Sequence, residues 1–142
     1  MDKQQTLVLL KPDTVRRGLA GEIIHRFERK GLRIAAMRML EFDDELVERH
    51  YAEHVGQWYF ERLEKFIKSG PVIAMVLKGD HVIELVRTMM GKTDKLEARP
   101  GTIRGDYAFE STEKNLVHGS DSEDSARREI AIFFDEDQIF QE

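Results

Sequence analysis

Apolar residues recur along this chain with two different periods, and the alternation between them outlines the fold. Residues 6–11, Thr-Leu-Val-Leu-Leu-Lys, form a short apolar run stopped by Pro12 and read as a buried strand. Ala20, Ile23, Ile24 and Phe27 then recur at helical spacing, and Gly31 supplies a C-terminal stop. Residues 33–40, rich in Ile, Ala and Met, give a second strand. Asp43-Asp44 starts a helix that sets Leu46, Val47, His50, Tyr51 and His54 near one face. A further helix runs from about Tyr59 to Lys68, with Leu63, Phe66 and Ile67 inward, until Gly70-Pro71 breaks it. Residues 72–77 are a third strand. Asp80 is placed to cap the next helix, whose Val82, Ile83, Val86, Met89 and Met90 keep helical spacing up to Gly91. From Lys92 to Glu113 the periodicity disappears in a stretch holding Pro100, Gly101 and Gly105. A loop of that length in a compact domain is usually functional or mobile. Ser120 and Glu123 have capping-box spacing for a short helix, and residues 130–134, Ile-Ala-Ile-Phe-Phe, read as the last strand.

Four strands with helices after the first and third predict an α+β fold. The expected topology is a βαββαβ split sandwich, a four-stranded antiparallel sheet with helices on one face. A doubly wound parallel sheet is the weaker alternative, because no Gly-rich phosphate loop follows the first strand. The first, third and last strands are apolar at nearly every position, which predicts burial on both faces. Helices on one face leave the other to be covered by the long loop or by another subunit, and this supports a homo-oligomer.

The bulk numbers narrow the function. At 142 residues the chain is expected to be one domain, 1–142. It has no Cys, which excludes a disulfide framework and thiolate metal sites and suits a reducing cytoplasm. Residues 1–10 have no long apolar core behind a basic stretch, so no signal peptide is expected. No run approaches the roughly 20 apolar residues that span a bilayer, so no membrane role is expected. A net charge of −5 disfavours general nucleic-acid binding, which relies on neutralising many phosphates. A few converging cations would still hold one small anion.

The densest chemical cluster is Asn115-Leu116-Val117-His118-Gly119-Ser120-Asp121-Ser122. A His after a short apolar segment, followed by Gly and a polar helix start, is expected to be exposed at a turn. Neutral imidazole is a competent nucleophile near neutral pH, provided one ring nitrogen is free and the other is held by an acceptor. Glu129, before the expected last strand, is the candidate acceptor, with Ser120 bracing it. The bland alternative is an incidental surface His. A second set is cationic: Lys11 at the end of the first strand, Arg87 on the helix feeding the long loop, and Thr93 and Arg104 in that loop. Phosphoryl transfer depends on positioning and on cations that stabilise shifting charge, and Arg suits phosphate oxygens by its planar fork. With 22 Lys and Arg in the chain, composition alone leaves each of them a solvated surface charge.

The order of these motifs resolves the ambiguity. Lys11-Pro12-Asp13, Gly21-Glu22-Ile23-Ile24, His50-Tyr51, Ser69-Gly70-Pro71-Val72, Pro100-Gly101-Thr102-Ile103-Arg104-Gly105-Asp106 and Asn115 through Ser122 together resemble the nucleoside diphosphate kinase family, in order from about residue 5 to 134. The resemblance implies a ferredoxin-like fold and transfer of the γ-phosphoryl group of a nucleoside triphosphate, mainly ATP, to nucleoside diphosphates. It makes His118 the nucleophile, becoming a pros-phosphohistidine, with Glu129 and Ser120 orienting it. It puts Arg87, Thr93 and Arg104 on the phosphates. Lys11 and Asn115 would meet the sugar hydroxyl, Lys11 also the transferring phosphate, and Tyr51 would lie beside the His. It further implies Mg2+ carried by the nucleotide phosphates rather than by a protein cage, and assembly as tetramers or hexamers of dimers.

Four departures stand out. Where the family usually has two Phe in the second helix, this chain has Trp58-Tyr59-Phe60, so Tyr59 takes the base-stacking position. Glu113 stands where Gly is common, and the segment between Arg104 and Asn115 is one residue longer than usual. The chain also ends soon after Phe134. A non-catalytic relative would lack the His or the cations, and all are present. An RNA-binding split sandwich needs aromatic residues in its central strands, and Leu7–Leu10 and Val72–Leu77 hold none. The remaining His residues read as surface or flanking groups: His25, His50, which only flanks Tyr51, His54 and His81.

Overall fold

A computed structural model describes residues 3–141; Met1, Asp2 and Glu142, the ends of the expected domain, lie outside the described residues. The elements in chain order are β1 (Gln4–Leu10), α1 (Pro12–Arg16), α2 (Ala20–Lys30), β2 (Arg33–Leu40), α3 (Asp44–His50), a 3-10 turn (Ala52–His54), α4 (Phe60–Ile67), β3 (Val72–Gly79), α5 (Val82–Met90), α6 (Ile103–Tyr107), β4 (Val117–Gly119), α7 (Glu123–Phe133) and a last 3-10 turn (Glu136–Gln138). The strands lie in the order β2-β3-β1-β4, and each pair is antiparallel. This is the ferredoxin-like α+β arrangement that the βαββαβ reading predicts.

The local reasons match the sequence pattern in most places. Gly31 ends α2 in the left-handed conformation at φ 102°, which an L side chain adopts only under strain. The Asp43 side chain accepts the Leu46 N–H and starts α3. Leu7, Val8, Leu9 and Leu10 have no exposed surface, so the central strand is covered on both faces.

Several expectations are corrected. Residues 130–134 are not a strand: Glu123–Phe133 is helix α7, and the fourth strand is the three-residue Val117–Gly119 before it. Glu129 therefore sits inside a helix, and His118 in the middle of a strand rather than at a turn. The cap of α7 is Ser122, whose side chain accepts the Ser125 N–H, not Ser120. The start of α5 is His81, left-handed at φ 52°, and Asp80 does not cap it. The stretch after Gly91 also contains α6, capped by Thr102.

The missing cover of the sheet is supplied by the chain itself. A Cβ on Gly119 would meet Val86 Cγ1 at 3.0 Å and the Met90 side chain at 3.1 Å, so Gly119 faces α5. Alternate residues of a strand face opposite ways. His118 accordingly faces the other side, where it meets His50 of α3 and Glu129 of α7. Burial of β1 in one chain means that the apolar strands carry no argument for a second subunit.

The close approach at Gly119 gives a test. Gly119→Ala should push α5, and with it Arg87, away from β4. The expected loss is about 1–3 kcal/mol, the usual cost of overpacking. An unchanged denaturant midpoint would show that α5 is not held against this strand.

Candidate active site

The site is built on an unusual stretch of backbone. Leu116 has φ 77°, a left-handed conformation that a bulky residue holds only when its surroundings over-determine it. They do so here. The Leu116 N–H donates to Asp13 Oδ2 at 3.1 Å, and its carbonyl accepts from Thr14 Oγ1 at 2.6 Å and from the Lys11 N–H at 2.9 Å. Arg104 completes the clamp: Nε donates to Asn115 O at 3.1 Å, Nη2 to Val117 O at 2.7 Å and Nη1 to Gly91 O at 3.0 Å. The strand-to-helix corner Lys11-Pro12-Asp13-Thr14 and the loop Arg104 thus fix the approach to β4 from two sides.

β4 presents His118, 26% exposed by side chain, and pairs it with Leu9 of β1. His118 Nε2 lies 2.8 Å from Glu129 Oε1, and Ser120 Oγ donates to the same oxygen at 2.8 Å. Ser120 is fully buried and its Oγ also accepts the Leu7 N–H at 3.2 Å. Burial pushes the Glu129 carboxyl up, but the hydrogen bonds from His118 and Ser120 and the charges of His118 and Arg128 outweigh it, leaving its pKa lowered. An ionised carboxylate only accepts, so Nε2 carries the ring proton and Nδ1 keeps its lone pair.

Around His118 lies a cavity of about 690 Å3, within the range of small-ligand pockets. His118, Glu129, Arg87, Thr93 and Arg104 all line it, so five of the residues singled out in the sequence converge on one space. A second hollow of about 310 Å3 includes Asn115 and shares Thr93 and Asp94 with the first. Lys11 donates from Nζ to Asn115 Oδ1 at 2.9 Å. Its ammonium is pushed down to about 8 by burial first and by the charge of Arg104 second, with Asp13 and Glu113 acting the other way. Arg104 is pushed down to about 10 by burial and by Arg87.

Similarity to known proteins agrees with this geometry. The nucleoside diphosphate kinase family model matches residues 4–139. The chain belongs to the nucleoside diphosphate kinase family. It is 57% identical over 136 residues to the nucleoside diphosphate kinase of Listeria monocytogenes serotype 4b, covering 96% of this chain and 92% of that protein. It is 53% identical over 138 residues to that of Methanocaldococcus jannaschii, covering 97% and 98%. A halophilic nucleoside diphosphate kinase from Halobacterium salinarum, solved in complex with CDP, superposes with a TM-score of 0.94 at 47% identity, covering all of this chain and 93% of that one.

Within that family frame, several residues stand differently from their first reading. Arg104, expected on the phosphates, spends three donors on backbone carbonyls, because a buried guanidinium has to satisfy its N–H groups, and it also lines the cavity. His50 is no flanking surface group: it is 6% exposed and its ring stands edge-to-face on His118 at 4.9 Å. The His50 ring thus stands beside His118, and Tyr51 packs on His50 at 4.6 Å; burial raises the Tyr51 pKa well above its ordinary value. His54 is half-buried, and its Nδ1 lies 2.6 Å from the Tyr59 hydroxyl. Asp13, read before only as part of a motif, anchors Leu116. Its signal in the sequence was a lone acid just after a buried strand.

Because Arg104 holds backbone as well as facing the cavity, Arg104→Lys should destabilise the fold as well as weaken activity. An ammonium cannot reach three carbonyls, and hydrogen bonds from charged donors are worth about 1.5–3 kcal/mol each. A loss of at least about 2 kcal/mol in urea unfolding is expected. Wild-type stability in Arg104→Lys would show that the clamp is not what holds this loop.

Proposed function

We propose that His118 carries the phosphoryl group between a nucleoside triphosphate, mainly ATP, and nucleoside diphosphates, in a ping-pong reaction that maintains nucleoside triphosphate pools. Family membership makes the chain a phosphotransferase, a nucleoside diphosphate kinase. The observation that carries the assignment to His118 is its Nε2 contact with Glu129, at the wall of the cavity that Arg87, Thr93 and Arg104 also line.

In the first half-reaction the Nδ1 lone pair forms a bond to the γ-phosphorus. The bond to the β–γ bridging oxygen breaks, and its electron pair leaves with the nucleoside diphosphate. Glu129 steadies the ring as positive charge develops on it. Arg87, Arg104 and Lys11 offset charge on the phosphate oxygens. In the second half-reaction a terminal oxygen of another nucleoside diphosphate attacks the phosphohistidine, and the N–P electron pair returns to Nδ1. Lys11 and Asn115, already joined, would meet the sugar hydroxyl, and Tyr59 would stack on the base.

The cavity wall also carries Asp94, Glu97 and Asp121, hard oxygen donors beside Arg87, Lys92 and Arg104. Among the described residues no three His, Cys, Asp or Glu come together as a metal-binding group. The oxygen donors and cations on that wall fit a nucleotide that would enter with Mg2+, which would add to the neutralisation of phosphate charge. We propose in addition a cytoplasmic homo-oligomer, a tetramer or hexamer built from dimers, without a specific nucleic-acid partner. Support for assembly comes from β2, an edge strand with Met37 45% and Met39 58% exposed. No helix among the described residues is long and apolar enough to cross a membrane.

Brief incubation with ATP and Mg2+ should add the mass of one phosphoryl group to the wild type and none to His118→Ala. A phosphorylated His118→Ala, or a wild type that stays unmodified, would overturn the assignment. Glu129→Gln keeps an acceptor but loses the charge, so kcat should fall about 10- to 1000-fold with nucleotide affinity barely changed; weaker binding with an unchanged phosphorylation rate would assign Glu129 another role.

The lowered Lys11 pKa predicts a basic limb. The free enzyme loses this charge as pH rises through about 8, so kcat/KM should decline above that pH. The same shift acts on stability in the opposite sense. Between about 8 and the ordinary 10.5 the unfolded chain holds the proton and the folded chain does not, so stability rises with pH there. Lys11→Arg should move the basic limb of kcat/KM upward. A limb that does not move would exclude Lys11 as its origin.

A further inference from the structure

Glu129 holds His118 by one nitrogen, and a single hydrogen bond fixes a position without fixing a plane. The ring could still swing about that bond and turn Nδ1 away from an incoming phosphorus. Among the described residues, the ring that stands against His118 is that of His50: centroids 4.9 Å apart, planes at 86°. His50 is itself held, with Tyr51 at 4.6 Å, Phe133 at 5.6 Å and Phe42 at 5.9 Å, and it sits at the end of α3 against β4.

We propose that His50 is a positioning residue for the nucleophile: its ring is the wall that sets the plane of the His118 imidazole and so aims Nδ1 into the cavity. This rests on His118 being the phosphoryl carrier. The contribution is one of shape. His50 Nδ1 is buried and has no hydrogen-bond partner among the described residues, so this nitrogen anchors nothing. The wall is also uncharged. Burial first, then the charges of His118, Lys11, Arg128 and His54, lower the His50 pKa well below the ordinary value. A neutral ring adds no repulsion as positive charge develops on His118.

Two substitutions separate shape from mere bulk. His50→Phe keeps a flat ring and discards the nitrogens, whereas His50→Leu keeps apolar bulk and discards the ring. Single-turnover phosphorylation of His118 by ATP and Mg2+ should stay within about threefold of wild type in His50→Phe and fall by about tenfold or more in His50→Leu. Nucleotide KM should move less than about threefold in either, since His50 is not among the residues that line the cavity. The pH profile of His50→Phe should overlay that of the wild type. A wild-type rate in His50→Leu, a His50→Phe as slow as His50→Leu, a loss seen in KM, or a displaced acid limb in His50→Phe would each overturn the proposal. Should His50→Leu fail to fold, the rate and pH profile of His50→Phe still decide it. Failure of the carrier assignment is recognised separately, by a wild type that gains no phosphoryl group on His118.

Discussion

The left-handed backbone at Leu116 is the constraint on which the site depends. A Leu at φ 77° costs free energy, on the order of 1–3 kcal/mol, and stays there because its own N–H and carbonyl are both held. Asp13 takes the N–H, Thr14 and Lys11 take the carbonyl, and Arg104 takes the carbonyls on either side. Two consequences follow. Asn115 is turned to meet Lys11, and His118, two residues on, is delivered to the face of β4 opposite α5. One short segment thereby ties the first strand, the long loop and His118 into a single unit.

That unit also explains why the same residues hold the fold and meet at the candidate site. Arg104 both holds backbone and lines the cavity. Lys11 is a buried cation whose lowered pKa follows from burial and from Arg104 beside it. Ser120 bridges β1 and α7 through one hydroxyl, accepting from Leu7 and donating to Glu129. Rigid support of this kind suits phosphoryl transfer, where catalysis rests on positioning and on fixed charge rather than on covalent help from many groups.

Much of this was legible in the sequence, and the failures have physical causes. β1 and β3 showed as continuous apolar runs and β2 as a stretch rich in Ile, Ala and Met, and Gly31 and Gly91 marked helix ends correctly. The exchange of the last strand and helix came from Ile130-Ala131-Ile132-Phe133-Phe134, whose β-branched and aromatic residues mimic a strand. The helical face of α7 is Ala126, Glu129, Ile130 and Phe133, and a buried carboxylate in the middle of it hides the period. β4 has three residues, too few for any pattern, and α6 has five with Gly105 inside. Arg87, Thr93, Arg104, His118 and Glu129 could be named from motif order and do share one cavity. The clamp at Leu116 and the burial of His50 could not, since neither a positive φ nor a packed ring leaves a mark on residue type.

The central claim is that Glu129 occupies Nε2 of His118 and leaves Nδ1 to react. The most direct measurement is the nitrogen that carries the phosphoryl group, read from the 15N and 31P spectra of the phosphoenzyme trapped with ATP in the absence of an acceptor. The account predicts N–P coupling at Nδ1, with Nε2 still protonated against Glu129. A phosphoryl group found on Nε2, or on any residue other than His118, would contradict it.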